Sequence, residues 1–334
     1  MTGKPKVTGS GNGERSGAQV LLLLAAPLIP AILAALVDEP KAQIELRHET
    51  GAPAQTTLRA QLKRLVELEA ISKSPRGNFP GTLEYELTPG GRELLGVAAV
   101  LERWLRRAPD DSLRAGANAP KAAITALTRG WSATILRALA AGPQSLTELD
   151  GVIDMLSYPS LERRLAALRL AGQVEAQTGN GRGTPYGVTS WAREGVGPLA
   201  AAALWERQYV PNRTPAIGRV DAESLFLLAA PLLSLPEDVS GTCRLGMELA
   251  GNEGPRLAGA VVTVEEGRVR AWTSRLQESA DAWALGSAGC WLEALVRADT
   301  AGIEAGGDGR LAGALLAALQ EALFGAAMTL DRPV

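Results

Sequence analysis

Apolar residues in the first two-thirds of the chain form a pattern that occurs twice, displaced by about 103 residues (135 minus 32). In each occurrence an apolar helix is predicted to end before a proline, and a short amphipathic helix and a turn follow. The matching positions are Ile32, Leu36, Pro40, Leu46, Leu58, Leu62, Leu65 and Ile71 in the first occurrence, and Ile135, Leu139, Pro143, Leu149, Leu161, Leu165, Leu168 and Val174 in the second. After a two-residue deletion in a glycine-containing loop, Tyr85, Thr88, Arg92 and Trp104 match Tyr186, Thr189, Arg193 and Trp205. We interpret this as an internal repeat.

Each occurrence continues with a third helix and two short strands. The third helix is predicted over Thr56–Leu68 in the first occurrence and from about Pro159 in the second, with leucines at helical spacing. The predicted strands are Ile71–Ser74 and Leu83–Leu87, and then Val174–Gln177 and Pro185–Val188. Helix, helix, turn, helix and hairpin is the winged-helix arrangement, whose third helix fits the major groove of DNA.

The segment 18–37 is almost free of polar side chains and follows Lys4, Lys6 and Arg15, as the core of a signal peptide or a membrane span would. Pro27 and Pro30 would break a spanning helix, and the matching segment 121–140 is more polar. We therefore predict one buried helix in a soluble protein that does not enter a membrane.

Residues 220–334 have a different pattern, with strands predicted at Thr242–Leu249, Ala258–Val264 and Val269–Thr273. The EEGRV run that begins at Glu265 predicts a hairpin turn between the last two strands. Helices are predicted around Ala288–Arg297 and Leu311–Phe324. This order of elements indicates an α+β layer arrangement.

Charge is unevenly distributed along the chain, whose formal net charge is −2. Residues 1–212 carry +4 (24 minus 20), whereas residues 213–334 carry −6 (10 minus 16). A polyanion would therefore meet the N-terminal part. Cys243 and Cys290 are too few and too isolated for a disulfide framework or a zinc site, and two free thiols favour a cytoplasmic location.

These patterns predict an α+β fold class and five segments along the chain. They are a flexible tail at 1–16, a winged-helix domain at 17–108, a linker at 109–120, a second winged-helix domain at 121–212 and an α+β domain at 213–334.

Two stretches of the repeat resemble the HxlR branch of bacterial winged-helix regulators. They are QTTLRAQLKRLVELEAISKS with YELTPGGREL, and SYPSLERRLAALRLAGQVEA with TPYGVTSWAREGV. The first matches the family's Y-x-L-T-x-x-G pattern through Tyr85, Leu87, Thr88 and Gly91, whereas the second has no glycine at the matching position. The resemblance implies homodimers that place one recognition helix in each half-site, so two copies in one chain predict an intramolecular pseudo-dimer. Because TTLRAQLKR differs from PSLERRLAA, we expect an asymmetric or only loosely palindromic operator; a homodimer of the whole chain is left open.

The predicted partner is double-stranded DNA. Hydroxyl and amide groups at a helix N-terminus read base edges, while arginine and lysine more often bind phosphates. In the first occurrence of the repeat, the predicted DNA-binding residues are Gln55, Thr56, Thr57, Arg59 and Lys63 of the third helix, with Lys73 and Arg76 of the hairpin. In the second occurrence they are Ser157, Tyr158, Ser160, Arg163 and Arg164 of the third helix, with Arg182 of the hairpin. A solvated helix face is the alternative. Glu162 is unfavourable beside phosphate, so the second copy either reads DNA weakly or only pairs with the first.

The C-terminal stretch resembles the sterol carrier protein type 2 family of lipid-binding domains. The residues that carry this resemblance are VTVEEGRVRAW, DAWALGSAGCWLEAL and GGDGRLAGALLAAL. The family's fold encloses an apolar cavity, which implies a hydrophobic small-molecule effector. Aromatic and aliphatic walls suit such a ligand, and the predicted lining residues are Trp272, Trp283, Trp291 and Leu295. Ordinary core packing is the alternative for each of them.

Catalytic chemistry has little support in the sequence. His48 is the only histidine, and there is no G-x-S-x-G, Walker A or G-x-G-x-x-G motif and no cluster of metal ligands. We predict no enzyme activity, no cofactor and no metal. The favoured function is a bacterial transcriptional regulator whose C-terminal domain senses a hydrophobic ligand; the alternative is a carrier of lipids or hydrophobic metabolites whose winged helices make protein contacts.

Overall fold

The computed structural model of the chain describes residues 15–76, 82–109, 119–178, 183–249 and 256–325. Four sequence-based predictions lie outside these residues. They are the tail at 1–14, the linker at 110–118, Arg182, and the side chain of Arg76, of which only the backbone is described.

Unit 1, residues 15–109, is a bundle of helices with a three-stranded antiparallel sheet of order β1-β3-β2. Its elements are α1 (Ala18–Leu24), α2 (Leu28–Ala35), β1 (Lys41–Ala42), α3 (Gln43–Glu49), α4 (Gln55–Glu67), β2 (Ile71–Arg76), β3 (Thr82–Leu87) and α5 (Pro89–Arg106). Leu58, Leu62 and Leu65 bury one face of α4, as their spacing predicts. We call α5 the closing helix of the unit.

The predicted single helix over 18–37 is wrong, because the chain bends by 81° between α1 and α2. Pro27 lies at the N-cap of α2, and Pro30 lacks the N–H that a continuous helix would need. No single helix among the described residues is long and apolar enough to cross a membrane; only α1 and α2 taken together, across their bend, reach that length and composition. Leu21, Ile29 and Leu33 of this pair lie in the core of the protein.

Unit 2, residues 119–213, has the same order of elements and a sheet of order β4-β6-β5. Its elements are α6 (Ala119–Thr128), α7 (Gly130–Ala140), β4 (Gln144–Ser145), α8 (Leu146–Val152), α9 (Tyr158–Leu170), β5 (Val174–Ala176), β6 (Pro185–Val188), α10 (Ser190–Glu194) and α11 (Val196–Tyr209). The closing helix is split here into α10 and α11, since Pro198 has no N–H to donate to the carbonyl of Glu194.

The two units share local details as well as order. Thr88 and Thr189 cap their closing helices, each accepting a hydrogen bond from a backbone N–H three residues on. Each threonine hydroxyl also donates to the backbone before the hairpin, from Thr88 to the carbonyl of Glu69 and from Thr189 to that of Gly172. Both hydroxyls therefore fix the end of the third helix to the start of the closing helix.

The C-terminal unit, residues 214–325, is a five-stranded sheet of order β11-β10-β7-β8-β9 with three helices. Its elements are α12 (Arg219–Ala229), β7 (Gly241–Leu249), β8 (Arg256–Glu265), β9 (Arg268–Thr273), β10 (Ala282–Ser287), α13 (Ala288–Arg297), β11 (Glu304–Gly307) and α14 (Gly309–Phe324). Helix α12 packs against β8, while α13 and α14 pack against β7 and β10. The predicted turn between β8 and β9 is present, with positive φ at Glu266 (50°) and Gly267 (72°).

Three elements of this unit were not predicted from the sequence: α12, β10 and β11. The residues of β10 and β11, AWALGS and EAGG, are small and lack the β-branched side chains that mark a strand. Strand β10 becomes part of the sheet by pairing in parallel with β7, about 40 residues earlier (282 minus 243). A contact at that distance leaves no local pattern in the sequence.

The closing helices of units 1 and 2 are joined by a reciprocal contact between tryptophans. The rings of Trp104 and Trp191 stack with their centroids 4.9 Å apart and their planes 8° from parallel. Each indole N–H donates to the backbone carbonyl of the other residue, at 2.7 Å from Trp104 and 2.9 Å from Trp191. Trp205 donates in the same way to the carbonyl of Gly90, at 2.7 Å. By the repeat, Trp205 matches Trp104 and Trp191 matches Gly90, so the Trp205–Gly90 hydrogen bond corresponds to the Trp104–Trp191 hydrogen bond with the two units exchanged.

Buried arginines hold the C-terminal unit against both other units. The guanidinium of Arg193 donates to the carbonyl of Leu227 at 3.1 Å, and burial lowers the pKa of Arg193 to about 10. Arg297 pairs with Glu93 at 3.0 Å, where both side chains are almost inaccessible. Arg103 donates to the carbonyl of Phe324 at 2.7 Å. The three units therefore form one continuous body.

We expect Trp104→Phe to lower the free energy of unfolding by about 1–3 kcal/mol, because it leaves the buried carbonyl of Trp191 without its donor. Urea unfolding followed by circular dichroism measures this change. Trp283→Phe, at a half-buried tryptophan of the C-terminal unit, is the matched control. The double variant with Trp191→Phe should show a coupling of about 0.5–1.5 kcal/mol. If the losses of unfolding free energy in the two single variants simply add in the double variant, the two tryptophans stabilise the protein independently.

The buried carboxyl group of Glu206 is expected to make the stability of the protein depend on pH. Its carboxylate accepts from the backbone N–H groups of Gly17 and Val20 at the start of α1, and burial raises the pKa of Glu206 above its usual value of 4.5. The folded chain therefore keeps a proton that the unfolded chain has already released. This contribution is complete below the usual pKa and is lost as the pH rises through the raised one.

Denaturant titrations of the wild type and of Glu206→Gln, from acid to neutral pH, measure this effect. We expect the stability of the wild type relative to the variant to decrease as the pH rises. Glu102→Gln, on an exposed face of α5, should leave the pH profile unchanged. Parallel profiles for the wild type and Glu206→Gln would contradict the prediction.

Candidate nucleic-acid interface

Helix α4 presents a polar face to solvent, opposite its buried leucines. Gln55, Thr56, Thr57, Arg59 and Lys63 are all exposed on this helix. The chain reaches α4 through a tight turn with positive φ at Gly51 (83°) and Ala52 (53°), so that α3 and α4 form a helix-turn-helix. The structure thus brings together the five α4 residues predicted for DNA binding on an open surface.

The basic groups of this face remain available to a polyanion. Lys63 lies 3.7 Å from Glu67, one helical turn away, but both side chains are mostly exposed and such a pair is weak in water. Lys73 is exposed on β2, where it lies opposite Tyr85 in the hairpin. A phosphate group can therefore compete for both ammonium groups.

Helix α9 of unit 2 offers a different surface. Ser157 is its N-cap residue, and the Ser157 hydroxyl donates to the half-buried hydroxyl of Ser160 at 3.0 Å. Tyr158 and Arg163 are exposed, whereas Arg164 is half-buried and its Nε atom is buried without a partner. The predicted residues of α9 therefore differ in accessibility, and Ser157 and Ser160 already bind each other.

Charge also distinguishes the helix-turn-helix segment of unit 1 from the matching segment of unit 2. Residues 43–67 carry four basic and three acidic side chains, for a net charge of +1. The matching residues 146–170 carry three basic and four acidic side chains, for a net charge of −1. Exposed Glu162 adds to the negative potential next to Arg163. Unit 1 therefore presents the surface better suited to phosphate.

The predicted effector residues do not surround one cavity. Trp291 is fully buried, its ring centroid is 4.7 Å from that of Phe226, and its N–H donates to the carbonyl of Gly246. Leu295 is also fully buried in the core. Trp272 donates to the carbonyl of Ala140 in unit 2, and Trp283 covers Gly306 of the neighbouring strand. Trp291 and Leu295 therefore belong to the core, and Trp272 joins the C-terminal unit to unit 2.

Sequence reasoning missed the residues that join the units. Trp104 and Trp205 were matched as repeat positions, but their partners at Trp191 and Gly90 are about 90 and 115 residues away (191 minus 104, and 205 minus 90). The one available signal was that tryptophan occurs in both closing helices. Arg15 and Ser16, assigned to the tail, are instead ordered, and Arg15 pairs with Asp221 at 3.2 Å.

The geometry of unit 1 is that of a winged helix-turn-helix domain: α3 and α4 form the helix-turn-helix, and β2 and β3 form the hairpin beyond it. Comparison with protein families agrees. Residues 29–112 match the family model described as HxlR-like helix-turn-helix, so the chain carries one HxlR-like helix-turn-helix domain there. This is a family of DNA-binding transcriptional regulators and not of enzymes. A search of curated proteins gave no match.

Close packing at Gly91 explains the glycine of the Y-x-L-T-x-x-G pattern. A Cβ atom at Gly91 would overlap the carbonyl oxygen of Ala70 and would lie 2.9 Å from a methyl group of Leu87. The start of α5 can therefore approach the end of α4 only if this residue lacks a side chain. In unit 2 the matching residue is Ala192, which is fully buried, so the same position there accommodates a Cβ atom.

We expect Gly91→Ala to destabilise the protein by about 2 kcal/mol or more, because the overlap is with backbone that can move only by displacing β2. Thermal unfolding measures this. Gly151→Ala is the matched control, since a Cβ there meets open space in α8 and should stabilise the helix by about 0.5–1 kcal/mol. Equal melting temperatures for the two variants would show that the close approach has no energetic role.

Proposed function

We propose that this protein is a transcriptional regulator that binds double-stranded DNA chiefly through α4 of unit 1. The observation that carries the proposal is the exposed polar face of α4 within the HxlR-like helix-turn-helix domain. Thr56 and Thr57 at the start of the helix suit base edges, and Arg59 and Lys63 suit phosphates. Lys73 on the hairpin extends the basic surface beyond the helix.

We further propose that unit 2 is a second, tandem winged-helix copy and that the two units act as an intramolecular pseudo-dimer. The shared order of elements, the matched caps at Thr88 and Thr189, and the reciprocal hydrogen bonds of Trp104 and Trp205 support this proposal. The charge of α8–α9 and the pairing of Ser157 with Ser160 favour a weaker contribution of unit 2 to DNA reading. The operator is then asymmetric.

The C-terminal unit is proposed as a sensor domain similar in fold to the sterol carrier protein type 2 family. Its helices pack on a five-stranded sheet, and the buried contacts of Arg193 and Arg297 fix it to both winged-helix units. A ligand that changes the position of this unit would therefore change the spacing between α4 and α9. Binding of an effector to the C-terminal unit would in this way change the affinity of the protein for its operator.

DNA binding is tested by incubating the purified protein with fragmented genomic DNA and sequencing the retained fragments. We expect a defined set of sites, lost in Arg59→Ala and only weakened in Arg163→Ala. Each lost phosphate contact should reduce the slope of log affinity against log salt by about one. Arg270→Ala, at an exposed arginine of the C-terminal unit, is the matched control.

Two results would contradict the proposal in different parts. Uniform retention of all fragments, unchanged in Arg59→Ala, would show that α4 does not read sequence. A strictly palindromic site, with equal losses in Arg59→Ala and Arg163→Ala, would show that both units read DNA alike and would remove the asymmetry.

A further inference from the structure

An apolar cavity lies where the N-terminal segment, unit 2 and the C-terminal unit meet. The cavity itself has a volume of about 60 Å³. It lies within about 610 Å³ of space that is free of protein atoms and partly open to solvent. Most of its wall is aliphatic and comes from α6, α11, α12, β7 and α13. Representative lining residues are Leu127, Ala200, Leu228, Met247 and Leu292. The tryptophans predicted to bind a ligand do not line it.

Two serines of the cavity wall have buried hydroxyl groups without a hydrogen-bond partner. Ser16 and Ser224 line its wall, with only 5% and 4% of their surface exposed, and neither Oγ atom has a hydrogen-bond partner. Buried hydroxyls are nearly always paired, because an unpaired one has lost its hydrogen bonds to water without replacement. An oxygen atom of a molecule bound in the cavity would supply the missing partner.

Among the described residues that line the cavity, the two charged ones, Arg15 and Asp221, neutralise each other. Arg15 Nε lies 3.2 Å from the Asp221 carboxylate, and Arg15 also donates to the carbonyl of Leu127 at 3.3 Å. No unpaired charge among the lining residues is left for an ionic ligand, and moving a bare charge into an apolar site is costly. The wall thus favours a neutral molecule.

We propose that this cavity binds a small neutral molecule whose carbon skeleton contacts the aliphatic wall and whose hydroxyl or carbonyl oxygen hydrogen-bonds with Ser16 and Ser224. The proposal rests on the proposed regulator function in that it gives the sensor its effector site. The ligand would contact three parts of the chain at once: the segment before α1, the closing helix of unit 2, and the C-terminal unit. Its binding therefore favours the arrangement in which these parts are docked.

Isothermal titration calorimetry on the full chain tests the class of ligand. Cyclohexanol and cyclohexanone are the probes, since each joins a compact apolar ring to one oxygen. We expect both to bind at one site, and cyclohexanecarboxylate and cyclohexylammonium to bind at least about tenfold more weakly because their charge must be buried. If the cavity holds only water, neither neutral probe will bind, and the proposal is overturned.

Single-residue variants test the position of the site. Ser224→Ala should weaken cyclohexanol binding about tenfold while leaving the melting temperature of the free protein unchanged or higher, because it removes a buried hydroxyl without a partner. A purely structural serine would instead lower the melting temperature. Ser190→Ala, at an exposed serine, is the matched control and should change neither quantity. Equal cyclohexanol affinity in Ser224→Ala and the wild type would overturn the assignment.

A cavity-filling variant gives an independent readout. Leu225 lies on the half-buried rim, so Leu225→Trp should block entry and abolish binding of both neutral probes. If this variant does not fold, Ser16→Ala with Ser224→Ala still decides the result, since loss of both hydroxyls should weaken cyclohexanol more than loss of either one.

The DNA measurements separate the ligand site from the regulator function. Arg59→Ala should bind cyclohexanol as the wild type does, because α4 does not line the cavity. If cyclohexanol binding depends on Ser224 but the protein selects no DNA sequence, the ligand site is supported and the regulator function is contradicted. If the protein selects DNA sequences but binds neither cyclohexanol nor cyclohexanone, the regulator function is supported and this ligand site is contradicted.

Discussion

The reciprocal contact between the closing helix α5 of unit 1 and the split closing helix α10–α11 of unit 2 is the interaction on which the rest of the arrangement depends. Trp104 and Trp205 each bury an indole N–H that must find an acceptor, and each finds a backbone carbonyl at the start of the opposite closing helix. A hydrogen bond to backbone tolerates little sliding, so the two helices are held at one relative position. Because α4 and α9 are attached to these helices through the hairpins, this contact sets the separation of α4 from α9.

The C-terminal unit is attached through arginines and not through a broad apolar surface alone. Arg193 and Arg103 donate to carbonyls at the ends of helices, and Arg297 is buried against Glu93. Breaking any one of these contacts would leave a buried charge or carbonyl unpaired, which is more costly than the contact is favourable. This form of attachment fixes the C-terminal unit to units 1 and 2 at once.

Units 1 and 2 share a backbone plan but not a surface. Their sheets have the same register, with Lys41 opposite Tyr85 and Gln144 opposite Tyr186. The helix-turn-helix segment of unit 1 has a net charge of +1, whereas the matching segment of unit 2 has a net charge of −1. Core positions are restricted by packing, whereas exposed positions are free to diverge, so the two units have similar backbones and different surfaces.

The sequence by itself determined the elements whose signal is local. Leucine spacing located the third helix of unit 1 to within one residue at each end, and the EEGRV turn and the helix Ala288–Arg297 were also predicted where they occur. Only the tertiary structure decided the bend before α2, the parallel strand β10, the core position of Trp291 and the cavity at Ser16 and Ser224. These features depend on which distant residues meet, and periodicity reports which face of a helix or strand is buried but not what buries it.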